Sequence, residues 1–128
     1  MVKEQHSGRI LFIGNDRSLL NNLLREIFEE EEISVIFSPS WDNGIKYMKN
    51  NELRLVIIDS LLISRLRPSA VLPIIKKTKA IFFLINTMPD MWIYNVMDSI
   101  KRNSVYIFKK PLYIDKFLKL VKRVWKRR

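Results

Sequence analysis

Three features of this 128-residue chain point to an α/β fold built on a parallel sheet of five strands. Five short apolar runs alternate with stretches of helical period, and the connections between them are short. That alternation buries its apolar faces as a parallel sheet with helices on both sides. The third run, residues 53–58, is apolar at nearly every position, as expected of a strand covered on both faces. Asp16, Asp59 and Lys110 stand just past the first, third and fifth runs, where the carboxyl ends of parallel strands share one edge.

Residues 9–14 form the first run and are read as a strand. Residues 18–30 follow with Leu19, Leu20, Leu23, Leu24, Ile27 and Phe28 at i, i+3, i+4 spacing, which is a helix pattern. Asn15 or Asp16 is the expected cap, because a short polar side chain accepts hydrogen bonds from the first free amides. Residues 33–37 are rich in β-branched side chains and read as the second strand. Residues 40–50 form a short helix with Trp41, Ile45 and Met48 on one face. After the third strand, Pro68 and Pro73 each remove a helix donor. A loop is therefore expected first, with a helix starting near Ser69 or Ala70. Residues 80–85 are the fourth strand, residues 90–102 a helix whose faces are poorly polarised, and residues 105–108 the fifth strand. Residues 113–126 form an amphipathic helix, with Ile114, Phe117, Val121 and Val124 as its stripe, widened by Leu118, Leu120 and Trp125.

The length fits one domain, residues 1–128 with a core of about 9–126, and no repeat or linker interrupts it. The chain has no cysteine, which excludes disulfides and thiolate metal sites. No apolar stretch approaches the about 20 residues that span a bilayer, and the polar start lacks a signal-peptide pattern. A cytoplasmic protein is expected. The net charge of +10 attracts acidic partners, including nucleic acid. Residues 109–128 carry nine basic residues against one acid, Asp115, whereas Glu29 to Glu32 form an acidic run. His6 is a lone histidine in a polar tail and has no assigned role; Trp41, Trp92 and Trp125 are read as packing residues, and Met88 and Met91 as gap-fillers.

Right-handed crossovers restrict five βα units to a few topologies. In the flavodoxin-like order 2-1-3-4-5, strands one and three meet at the switch point where open α/β sheets bind ligands. A three-layer (βα)5 sandwich of that order brings Asp16 and Asp59 side by side.

Across about residues 9–126 the ordered set resembles the receiver domain of two-component response regulators. In that family an acidic pair follows strand one, a phosphoacceptor aspartate ends strand three, Thr or Ser ends strand four, and Lys-Pro follows strand five. Asn15-Asp16, Asp59 and Lys110-Pro111 match three of those positions. The chain departs from the pattern where Asn15 replaces the first acid. At the end of strand four the hydroxyl position falls on Asn86, or on Thr87 if the alignment slips by one. Ile107 stands at the usual switch aromatic, with Tyr106 one residue earlier, and the segment after Asp59 lacks the usual Met-Pro and Gly.

The resemblance implies phosphorylation of Asp59 by a sensor histidine kinase or phosphotransfer protein, and output through contact with a downstream protein target. It also implies Mg²⁺ held by Asp16, Asp59 and the backbone carbonyl of Leu61, with Asn15 reaching the metal through a water. Mg²⁺ usually takes one or two carboxylates and keeps several waters. Asn15 removes one negative charge from that set, so weakened affinity is expected. Lys110 would pair with a phosphoryl oxygen as a compact point charge, and Asn86 or Thr87 would donate a hydrogen bond to another.

Each residue also has a structural reading. Asp16 can cap the first helix, Asp59 can be a loop acid, and Lys110 can be solvated surface. Two alternative functions accompany the first. The substitutions at Asn15, Asn86 and Ile107 suit a degenerate pseudo-receiver that binds protein without phosphorylation. The basic last helix suits nucleic-acid binding that weakens with salt, although no DNA- or RNA-reading motif accompanies it. No Gly-rich phosphate loop, nucleophile elbow or His-based metal site is present, so an independent enzyme is not expected.

Overall fold

The computed structural model describes residues 9–15, 17–50, 52–63, 66–86, 105–109 and 112–126. Strands β1 (Arg9–Ile13), β2 (Val35–Ser38), β3 (Leu53–Asp59), β4 (Ile81–Asn86) and β5 (Val105–Lys109) form one sheet. Its order is β2-β1-β3-β4-β5, and every neighbouring pair is parallel. The helices are α1 (Leu19–Glu30), α2 (Trp41–Asn50), α3 (Ser60–Ile63), α4 (Pro68–Lys77) and α5 (Ile114–Lys126). This is the flavodoxin-like architecture expected from the βα alternation. The helix expected over residues 90–102, with Met91 and Trp92, lies outside the described residues, as do His6 and Met88.

Alternation along the strands divides the core into two layers. Leu11, Ile13, Val56, Ile58, Phe82 and Leu84 pack with Trp41 of α2 and with Val71 and Ile75 of α4. Ile10, Phe12, Leu55, Ile57, Phe83 and Ile85 pack on the other face with Leu20, Leu24 and Phe28 of α1 and Phe117, Val121 and Val124 of α5. Under α5 the rings of Phe83, Phe108 and Phe117 meet with centroids 5.0 to 5.9 Å apart. The spacing suits tilted and edge-to-face contact.

Several local expectations are corrected. The cap of α1 is Ser18, not Asn15 or Asp16: its hydroxyl oxygen accepts from the Asn21 amide at 3.0 Å. Asn15 instead accepts from the Arg17 amide at 2.9 Å, a turn that leads into the helix. Leu19 and Leu23, read as part of the α1 stripe, are 87% and 45% exposed, because helix rotation presents Leu20, Leu24 and Phe28 to the sheet. Strand β2 starts at Val35 rather than Ile33, whose amide donates instead to the Phe28 carbonyl closing α1. The segment after Asp59, expected as loop, continues directly into the short helix α3. Helix α4 begins at Pro68, one to two residues early; at the first helical position the missing N–H costs nothing. Pro73 is accommodated inside that helix.

Candidate functional site at the carboxyl edge of the sheet

Asp59 is the last residue of the central strand β3, and it is only 4% exposed. Its place follows from register. Ile13 of β1 pairs with both Ser38 and Ile58, so Gly14 comes level with Asp59 on one side. Ile85 of β4 pairs with Asp59 on the other. One step further, Asn86 pairs with Lys109. The switch point lies between β1 and β3, with Asp59 on its rim.

Gly14 makes that rim tight. A Cβ built there would stand 2.8 Å from the Phe12 ring and 3.5 Å from Asp59 Cβ. The fully buried Phe12 ring has no room to move away. Glycine thus lets β1 close over its own aromatic while its backbone borders Asp59. The Gly14 amide donates to the Ser38 carbonyl at 3.0 Å and fastens the end of β1 to β2. Buried Ser38 in turn sets the start of α2. Its hydroxyl lies 2.8 Å from Asn43 Oδ1 and 3.0 Å from the Ser40 carbonyl oxygen. Sequence patterning missed Ser38; a hydroxyl closing an apolar strand before a helix is the signal that marks it.

Of the residues expected at the site, Asp59, Asn15 and the backbones of Leu61 and Asn86 are described. Asp59 and Asn15 lie at adjacent strand ends, Leu61 follows in α3, and Asn86 closes β4. Asp16, Thr87 and Lys110 lie outside the described residues. Among the described residues no three acidic or imidazole side chains cluster. Asp59 has interacting neighbours and is not an isolated charge. Ile107 and Tyr106 fall on opposite faces: Ile107 packs with the α2/α4 layer, and Tyr106 contacts the Phe83 ring edge-on at 5.5 Å. Tyr106 is therefore no displaced substitute for an aromatic at position 107.

No protein-family profile matches the chain, and no curated protein does. A solved response regulator receiver domain protein from Bacillus halodurans superposes with a TM-score of 0.66 at 14% identity. The match covers 91% of this chain and 97% of that one. The chain has the fold of a receiver domain. Within the receiver fold, Asp59 stands at the carboxyl end of the middle strand, and no helix among the described residues is long and apolar enough to cross a membrane.

Proposed function

We propose that this chain is a phosphorelay signalling module that accepts a phosphoryl group on Asp59 and signals by protein–protein contact. The supporting observation is the nearly buried Asp59 at the end of β3, beside the glycine that follows β1, in a receiver fold. Burial disfavours a carboxylate's charge, which its interacting neighbours and a bound cation would offset. In the reaction one Asp59 oxygen bonds to phosphorus as the donor's P–N bond breaks; the imidazole leaves with the electron pair and takes up a proton. Attack of anion on anion needs neutralisation, which Mg²⁺ supplies when bound. Asp16, Asp59 and the Leu61 carbonyl are the proposed ligands, with Asn15 reaching a metal water. Lys110 and either Asn86 or Thr87 are proposed to hold the phosphoryl oxygens. Positioning and charge account for most of the catalysis in such transfers.

Incubation with acetyl phosphate and Mg²⁺ tests the reading. The expected result is a hydroxylamine-sensitive label that is lost in Asp59→Asn. Absence of a label, or one that survives the substitution, overturns it.

One observation favours a second reading, a protein-binding module that works without phosphorylation. Asn15 carries no charge, and its amide oxygen already accepts from the Arg17 amide. Mg²⁺ titration separates the two: binding lost in Asp16→Asn supports phosphoacceptance, and no binding at millimolar metal supports the second.

A further inference from the structure

At the opposite edge of the sheet a groove of about 660 Å³ opens between the carboxyl ends of α2 and α4. Its floor is apolar, made by Ile45 and Met48 of α2, Leu53 at the start of β3, and Ile74 of α4. Lys49, Lys77 and Lys79 stand around it, with Glu52 as the one acid. All three lysines are exposed, and none of their side chains has an ion pair or hydrogen bond among the described residues. The end of α4 does not need them as caps. The Thr78 amide donates to the Ile74 and Ile75 carbonyls, and the Thr78 hydroxyl donates to the Ile74 carbonyl at 2.7 Å. The groove lies six residues of β3 away from Asp59, about 20 Å at the usual rise per residue.

We propose that this groove binds a small amphipathic carboxylate, with its apolar body on the Ile45, Met48, Leu53 and Ile74 floor and its anionic head among Lys49, Lys77 and Lys79. The volume is in the range of small-molecule sites, which are mostly apolar with a few polar groups that fix orientation. Charge complementarity selects the head: three exposed lysines against one glutamate leave the rim cationic. The apolar floor selects the body, because a wholly polar anion would leave it wet. This site is independent of phosphorylation at Asp59.

The test is an NMR titration of the full chain, without Mg²⁺ or phosphodonor, using decanoate, decanol and acetate as probes. Decanoate is expected to give saturable shifts confined to the ends of α2 and α4 and the start of β3. Decanol and acetate are expected to bind at least about tenfold more weakly, the step corresponding to one lost charge-assisted contact. Lys77→Gln with Lys79→Gln should weaken decanoate by a similar factor, while Lys119→Gln with Arg123→Gln on α5 should leave it unchanged. Decanol binding as well as decanoate, equal losses in the two double variants, or shifts scattered over the surface without saturation would each overturn the proposal. The wild-type mapping stands even if a variant fails to fold. Failure here leaves the labelling of Asp59 untouched, and failure of that labelling leaves this result standing.

Discussion

The two edges of the sheet are built on opposite plans. At the carboxyl edge, Asp59 is almost wholly buried, Gly14 has no room for a methyl group above Phe12, and Ser38 ties β2 to α2. At the amino edge, the lysines between α2 and α4 are exposed around an open apolar groove. One edge holds buried groups in tight places, and the other presents exposed charged groups around an apolar floor. The contrast teaches that substitutions at the first should damage stability or chemistry sharply, whereas those at the second should change binding alone.

The largest effect that sharpens this contrast is at Asp59. Asp59→Asn should remove the acyl-phosphate label entirely, as read by mass spectrometry of the acetyl-phosphate-treated chain. Next, Gly14→Ala forces a Cβ to 2.8 Å from a buried ring, and overpacking of that kind costs about 1–3 kcal/mol, measurable as a lowered urea midpoint. Gly44→Ala meets Ile13 Cδ1 at 2.5 Å, but alanine recovers about 1 kcal/mol of helix propensity, so its net loss should be smaller than that of Gly14→Ala. Ser38→Ala leaves Asn43 without its partner and should cost about 1 kcal/mol in the same measurement. The smallest effects belong to exposed charge. The Glu31–Lys122 pair joins α1 to α5 with both side chains more than a third exposed, so a double-mutant cycle should give under about 1 kcal/mol and shrink with salt. Lys77→Gln with Lys79→Gln should change the unfolding free energy by less than about 0.5 kcal/mol; a loss comparable to that of Gly14→Ala would break the contrast between the edges.

Much of the fold is legible in the sequence. The alternation of periods located all five strands, and continuous burial of residues 55–58 followed from their unbroken apolar run. The stripe of α5 was read correctly because Phe117, Val121 and Val124 stand out against a strongly basic background. The stripe of α1 was not. Leu19 and Leu23 are as apolar as Leu20 and Leu24, so composition could not set the helix rotation; docking against β1 and β3 did. Capping by Ser18 was missed for a related reason. Asn15, Asp16 and Ser18 are all competent caps, and the place where the chain turns chooses among them. At the candidate site, the placement of Asp59 at a strand end was readable from residue order, whereas its burial and its closeness to Gly14 were not.

Local periodicity, then, determined the order of elements, the parallel sheet and the strand that Asp59 ends, because side-chain alternation is written every two or three to four residues along the chain. Pairing register and helix docking decided the rest: that Gly14 borders Asp59, that Leu19 faces outward, and that the ends of α2 and α4 leave a lysine-rimmed groove. These depend on segments remote in sequence meeting in space, a relation that no local pattern encodes.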